Sequence, residues 1–99
     1  MNKMRAIHPG EILREEFLSP LGMSPHALAV KLHVPAPRIN DIVRERRSIT
    51  PDTALRLSRF FGTTPEFWMN LQASFDLKAT RLNMGSRIES EVMPRAGVN

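Results

Sequence analysis

The sequence predicts an all-α domain of five helices with a partly ordered C-terminal tail. Four of the five helices are expected to begin at a proline, because a residue without an N–H costs nothing in the first turn of a helix. No segment shows the alternation of apolar and polar residues that marks a half-buried strand. Apolar residues recur instead at helical spacing. The predicted proline starts are Pro9, Pro25, Pro51 and Pro65.

Prolines and a glycine delimit the first two predicted helices. Pro9 begins the first, the sequence GEILREEFL continues it, and Pro20 with Gly22 ends it. A serine before a proline is a good helix N-cap, because its hydroxyl oxygen accepts a hydrogen bond from a free backbone N–H. Ser24 is such a residue, so the second helix is expected to begin at Pro25 and to continue through HALAVKL.

A tight turn and a third helix come next. Residues 33–35, with the sequence HVP, form the predicted turn, and the third helix is expected over about Ala36 to Glu45. Proline disfavours helical geometry in the residue before it. Pro37 is therefore expected to delay the start of this helix by one residue.

The last two predicted helices are followed by the tail. The fourth has the sequence PDTALRLSRFF and ends at Gly62, and the fifth covers PEFWMNLQASFDLKATRL. After Met84, glycine and proline interrupt the helical pattern. The expected organisation is a helix-turn-helix domain of residues 1–83 and a tail of residues 84–99.

Length and composition exclude several classes of protein. Ninety-nine residues with 41% apolar content suffice for one domain with a modest core. The chain has no cysteine, which excludes disulfides, thiolate metal sites and cysteine nucleophiles within it and suits a reducing compartment. No apolar run approaches the roughly 20 residues that cross a bilayer, and the N-terminus lacks the apolar segment of a secretory signal. A cytoplasmic protein without membrane contact is expected.

The excess positive charge is confined to one window of the chain. The net charge is +4, and residues 31–59 account for all of it. The basic residues of this window are Lys31, Arg38, Arg44, Arg46, Arg47, Arg56 and Arg59, and the acidic ones are Asp41, Glu45 and Asp52. A solvated surface is the ordinary interpretation of such a window. A localised excess also suits a polyanionic partner, and the motif on the same residues favours that interpretation.

The segment SPHALAVKLHVPAPRINDIVRERRSI indicates a helix-turn-helix motif. Its apolar or small residues are spaced so that one short helix lies across another. These residues are Leu28, Ala29, Leu32, Val34, Ile39 and Ile42, and the last two are expected to point inward to the core. Ala29 lies where the two backbones are expected to come closest, and only a small side chain fits there. The second helix of such a motif can enter the major groove of DNA.

Residues near the start of that second helix are the candidates for contact with bases. They are Ala36, Pro37, Arg38, Asn40 and Asp41. Arg38 suits the edge of guanine, Asn40 suits the edge of adenine, and Asp41 suits the amino group of cytosine. The Pro37 ring or the Ala36 methyl group suits the methyl group of thymine. Two alternatives stay open, because Arg38 also suits a phosphate and Asp41 a neighbouring arginine.

Other residues of the motif are expected to contact the DNA backbone. Ser24 and His26 open the first helix of the motif, where free N–H groups and the helix dipole favour a phosphate. Arg44, Arg46 and Arg47 follow the second helix and are expected to flank the duplex, with plain solvation as the alternative.

An aromatic and apolar stripe runs along the fifth helix. Its members are Phe67, Trp68, Leu71 and Phe75, followed by Leu82. Core packing is the favoured interpretation for Trp68, and a stripe this wide also suits a dimer contact. Readers of DNA with this motif usually act as symmetric pairs on palindromic sites, so a homodimer on double-stranded DNA is expected.

The sequence offers no catalytic or metal-binding constellation. His8, His26 and His33 lie on different predicted elements, where ordinary surface or turn histidines are the commoner explanation. No metal-ligand spacing, phosphate-binding glycine loop or nucleophile motif occurs. We therefore expect neither enzymatic activity nor a cofactor or metal.

Two long segments of the chain resemble the HigA family of antitoxins, which are lambda-repressor-like helix-turn-helix proteins. These segments are IHPGEILREEFLSPLG and HALAVKLHVPAPRINDIVRERRSITPDTALRLSRFFGTTPEFWMNLQASFDL, and the string TPDTALRLSRFFGTTPEFWMNLQ is the most specific part. The resemblance implies an antitoxin that neutralises HigB, a small mRNA-cleaving toxin, and whose dimer represses the shared operon at an inverted repeat. An orphan transcriptional regulator without a toxin is the alternative.

The chain departs from the HigA pattern in two places. The turn of the motif often carries glycine where this chain has His33, but histidine tolerates left-handed backbone geometry better than most residues. We therefore expect the fold to be unchanged. The residues after Met84 match no pattern of the family, so the resemblance assigns them no role.

Overall fold

A computed structural model describes residues 5–96 of the chain. This part contains five helices and no strand, as the sequence predicts. Helix α1 spans residues 9–21, α2 is Pro25–Leu32, α3 is Ala36–Val43, α4 is Pro51–Phe61 and α5 is Pro65–Glu91. The helix-turn-helix motif is formed by α2 and α3, with α1, α4 and the first half of α5 packed around it.

Helix α1 changes its winding along its length. It begins as an α-helix at Pro9–Ile12, widens to a π-helix over Leu13–Leu18 and ends with Ser19–Leu21. Pro20 has no N–H to donate, and in a regular helix its ring would clash with the carbonyl group four residues earlier. The wider turn avoids that clash, so the helix passes Pro20 and ends at Gly22, which has a left-handed φ of 62°.

Apolar side chains from all five helices form the core of the described part. They are Leu13, Leu18, Leu28, Ala29, Leu32, Ile39, Ile42, Val43, Ile49, Ala54, Leu57 and Trp68. Every helix contributes at least one of them. Ala29 is only 1% exposed, as expected for the residue at the closest approach of α2 and α3.

Gly10 makes a second close approach possible. A Cβ atom at this position would lie 1.8 Å from the carbonyl oxygen of Ile42, far inside any permitted contact distance. The first turn of α1 can therefore pack against the end of α3 only because residue 10 has no side chain.

The expected delay in the start of α3 is wrong. The helix begins at Ala36, with Pro35 as an extended N-cap and Pro37 in the first turn. Ala36 adopts the helical geometry that the following proline disfavours, and it packs against the core there. Pro37 itself removes no hydrogen bond, because N–H groups in the first turn have no intrahelical acceptor. The helix also ends earlier than expected, at Val43, because Glu45 adopts a left-handed φ of 64°.

Helix α5 extends well past Met84, where the sequence predicted a tail. It continues through Gly85 to Glu91, and only residues 92–96 of the predicted tail lie beyond a helix within the described part. One glycine costs a helix about 1 kcal/mol relative to alanine, which does not suffice to end it here. The Nε atom of Arg87 donates to Glu91 at 2.8 Å, one turn further on, and supports the last turn. The extended helix gives the molecule its long dimension of 53 Å.

Candidate nucleic-acid interface

Helix α3 is anchored by its isoleucines and presents its other side outward. Ile39 and Ile42 are fully buried, which confirms the prediction that they face the core. Pro37 is exposed, while Arg38 and Asn40 are half-buried, so neither polar side chain enters the packed interior. Ala36 and Asp41, which were also predicted to contact bases, are half-buried as well. The arrangement allows polar side chains at the start of α3 to reach a ligand outside the protein.

The turn before α3 depends on His33. This residue has φ 58° and ψ 46°, and its N–H donates to carbonyl groups of the last turn of α2. The residue tolerates this left-handed geometry, as the sequence predicted, and the turn between α2 and α3 forms without glycine.

The N-terminus of α2 lies open to solvent on the same motif. The hydroxyl oxygen of Ser24 accepts a hydrogen bond from the N–H of Ala27 at 3.0 Å, which is the expected cap. Ser24 and His26 are exposed. The first turn therefore offers the free N–H group of His26 and accessible polar side chains, which suit a phosphate.

Arg38 is held by a carboxylate from another helix. Its Nη1 atom donates to Oδ2 of Asp52 at 2.6 Å, and the Nε atom of Arg56 donates to the same oxygen at 3.0 Å. Arg56 also donates to the carbonyl oxygen of Leu32 at 2.9 Å, at the end of α2. The hydrogen bonds from Arg38 and Arg56 lower the pKa of Asp52 below its usual value, so this carboxylate is ionised at neutral pH.

Sequence reasoning did not single out Asp52 and Arg56 as site residues. Their only local signal is the four-residue spacing of a helical ion pair, which is common on helix surfaces. Their link to Arg38 joins residues 14 positions apart and depends on how α3 and α4 pack.

The three arginines after α3 fall into two groups. Arg47 donates to Asp41 at 3.1 Å, so the alternative role of Asp41 as a partner for a neighbouring arginine is realised in this structure. Arg44 and Arg46 are exposed, and neither forms an ion pair with another described residue. These two guanidinium groups are exposed cations next to α3 that no described carboxylate pairs with.

The first four residues of the α5 stripe pack against the body of the molecule, whereas the fifth, Leu82, is exposed. Trp68 is fully buried, and its indole N–H donates to the Thr63 hydroxyl oxygen at 2.8 Å. Phe67 is 37% exposed and lies edge-on against the Trp68 ring. Leu71 packs against the core, and Phe75 contacts the His8 ring with a centroid distance of 4.8 Å. Of the two predicted roles for this stripe, core packing is realised for Trp68.

His8 is a buried helix cap, whereas the sequence suggested an ordinary surface or turn histidine. Its side chain is only 3% exposed, and its Nδ1 atom accepts the Gly10 N–H at 2.8 Å. Burial lowers the pKa of His8 below its usual value, and the more distant Glu45 and Asp76 oppose that effect only in part. Histidine is not a usual N-cap residue, so nothing in the sequence indicated that His8 caps a helix. No group of histidine and acidic residues within positions 5–96 is arranged to hold a metal ion.

Comparison with known proteins identifies the family. The helix-turn-helix family model HTH_3 matches residues 13–68, which include the whole motif. The antitoxin HigA of Pseudomonas aeruginosa, solved with the higBA promoter, superposes with a TM-score of 0.89 at 53% sequence identity, covering 91% of this chain and 98% of that one. The chain belongs to the HigA family of helix-turn-helix antitoxins.

Two curated relatives extend the HigA-family match. Virulence-associated protein I of Dichelobacter nodosus is 64% identical over 77 residues, covering 78% of this chain and 71% of that protein. Antitoxin HigA-1 of Vibrio cholerae is 37% identical over 79 residues, covering 80% of this chain and 74% of that protein. Among the described residues of this HigA-family chain, no helix combines the length and apolar character needed to span a membrane.

Proposed function

We propose that this chain is an antitoxin and autorepressor that acts in the cytoplasm as a homodimer. The dimer binds a palindromic operator of its own operon and neutralises a HigB-like, mRNA-cleaving toxin. The observation that carries the DNA-binding half is the placement of α3, whose isoleucines are buried while its leading polar side chains remain accessible. The HigA relative solved with the higBA promoter supports the same interpretation.

The interface divides into residues for bases and residues for phosphates. Arg38 and Asn40 reach base edges from the start of α3, with the apolar surfaces of Ala36 and Pro37 beside them. Asp41 takes part through its pair with Arg47. Ser24 and His26 at the N-terminus of α2, together with Arg44 and Arg46, contact the backbone of the duplex. No catalytic role is proposed for any of these residues.

A gel-shift titration with the duplex upstream of the chain's own gene tests DNA binding. We expect a shift at low salt that weakens steeply as salt rises, because each neutralised phosphate adds about 0.9 to the slope of log affinity against log salt. Binding without salt dependence, or no shift at low salt, would contradict the proposal.

Two arginine substitutions separate base contact from phosphate contact. Arg38→Ala should cost roughly 1–3 kcal/mol of binding free energy and relax the preference at one base pair. Arg46→Ala is the matched control, and it should weaken binding to all duplexes alike and reduce the salt slope by about 1. Equal weakening of all duplexes by Arg38→Ala would make Arg38 a phosphate contact.

Co-expression with the neighbouring reading frame tests the toxin-binding half. A tagged copy of this chain should retain the product of the adjacent gene through purification, and that product should stop growth when expressed alone. If the neighbour is neither retained nor toxic while the operator still shifts, the chain is an orphan transcriptional regulator.

A further inference from the structure

Asp52 places a negative charge on a surface that is proposed to bind the polyanion DNA. Its carboxylate lies between the guanidinium groups of Arg38 and Arg56, and one oxygen accepts from both. A surface built only for phosphate affinity would omit this negative charge. The carboxylate repels the duplex and halves the net positive charge of Arg38 and Arg56. The position of Asp52 therefore serves something other than backbone affinity.

The carboxylate is itself fixed in space. Asp52 lies in the first turn of α4, where an acidic side chain is favoured by the helix dipole. Arg56 lies one turn further along α4 and also donates to the Leu32 carbonyl oxygen, so it ties Asp52 to the end of α2. The resulting chain of hydrogen bonds joins α2, α4 and Arg38 of α3.

Stability does not account for this arrangement. The side chain of Asp52 is 54% exposed, that of Arg56 is 41% exposed and that of Arg38 is 30% exposed, and ion pairs with a carboxylate this exposed contribute little to folding. What the contact does restrict is the motion of Arg38. A free arginine samples many rotamers, whereas one held at a single carboxylate is already ordered before the ligand arrives.

We propose that Asp52 is a positioning residue for sequence recognition, which holds Arg38 so that its free N–H groups face a base edge and not the nearest phosphate. The proposal rests on the proposed DNA-binding function. It extends that function by assigning specificity to a residue outside the recognition helix, and it predicts that loss of the carboxylate lowers specificity while raising general affinity.

Asp52→Asn tests the proposal, with Glu66→Gln as a control that makes the same change in charge. Glu66 is exposed in the first turn of α5 and pairs with no described residue. Fluorescence anisotropy would measure the affinity of each variant for the labelled promoter duplex, for duplexes changed at one base pair at a time, and for a scrambled duplex. Circular dichroism would establish that each variant is folded.

Asp52→Asn should tighten binding to the scrambled duplex and reduce discrimination about tenfold at the same base pair that Arg38→Ala affects. Asp52→Glu, which retains the charge, should recover part of that discrimination. In the Arg38→Ala background, Asp52→Asn should reduce discrimination no further. Glu66→Gln should leave the base preferences unchanged.

Two results would overturn the positioning role. One is an equal gain in affinity for all duplexes with Asp52→Asn, which would make Asp52 a general charge. The other is discrimination identical to that of the wild type. In either case the wild type still binds its promoter, so the proposed function survives. Failure of the wild type to bind the promoter duplex would remove both proposals together.

Discussion

Gly10 shows how one residue can set the distance between two helices. The space that a side chain would occupy at this position is taken by the carbonyl oxygen of Ile42, at the end of the recognition helix. Gly85, in contrast, lies inside α5, and a Cβ atom added there would have no neighbouring heavy atom within 4 Å. The two glycines are therefore expected to respond to the same substitution in opposite directions.

Gly10→Ala should destabilise the protein by about 1–3 kcal/mol, the usual cost of forcing an extra carbon into a packed contact. Gly85→Ala should stabilise the protein by up to about 1 kcal/mol, because alanine is the better helix former. Urea unfolding followed by circular dichroism measures both changes. Equal and small effects at the two positions would contradict the close approach of α1 and α3.

His8 makes stability depend on pH through its role as a cap. Only the neutral imidazole can accept the Gly10 N–H at Nδ1. The pKa of His8 is lowered in the folded protein from the ordinary 6.5. The unfolded chain therefore takes up its proton first as the pH falls. The stabilisation that neutral His8 gives to the folded protein is complete above pH 6.5 and is lost as the pH falls to the folded-state pKa of His8.

The variant His8→Asn should flatten this pH dependence, because asparagine is a good N-cap and does not titrate. The test compares unfolding free energies of the wild type and the variant between about pH 7.5 and pH 5. His26→Asn, on the exposed start of α2, is the control and should retain the slope of the wild type. A difference between wild type and His8→Asn that stays constant with pH would contradict the assignment.

At the scale of the element, the caps account for where the helices begin. Ser24, Thr50 and Thr64 each precede a proline and accept a hydrogen bond from a backbone N–H three residues later. The pattern is local, which explains why these three starts were predicted to the residue. The end of α5 was not predicted, because Gly85 resembles a helix stop signal. The free-energy cost of one glycine is too small to end the helix there.

Thr64→Ala should destabilise the protein by about 1 kcal/mol, because the Phe67 N–H would lose the acceptor that lies at 3.1 Å. Thermal or urea unfolding measures the loss. Thr64→Ser retains the hydroxyl oxygen and should stay close to the wild type. If both variants lost the same stability, the methyl group and not the cap would be responsible.

At the scale of the whole molecule, the distal half of α5 lacks contacts that would stabilise it. From Thr80 onward every described residue except Gly85 is exposed. Helices of this length are marginal in water without packing. With 3.6 residues per turn, three apolar side chains lie on the side of α5 opposite to the buried Trp68. They are Leu77, Met84 and Ile88, with exposures of 56%, 36% and 44%.

This apolar face suits the second copy that the proposed homodimer requires. Ile88→Glu should convert a dimer into a monomer, because a charge would be buried in the contact. Light scattering after size-exclusion chromatography measures the mass. Asn83→Glu is the matched control on the other side of the same helix and should leave the dimer intact. A wild-type monomer at the concentrations that shift DNA would refute the dimer.

The sequence by itself determined the all-α class, the proline starts of four helices and the inward orientation of Ile39 and Ile42. Each of these depends on residues within a few positions of one another, where helix periodicity and capping act. The candidate base-reading residues could be named for the same reason, since the motif places them by their position along one helix.

Only the tertiary structure decided which partners those residues have. Arg38 pairs with Asp52, His8 is buried beside Phe75, and Gly10 closely approaches the Ile42 carbonyl group. Each of these contacts joins residues that are distant in the chain. Such contacts depend on the angles and distances at which helices pack, and no local pattern encodes them. The proposed recognition surface therefore begins with a motif that the sequence shows, and packing adds the Asp52 carboxylate to it.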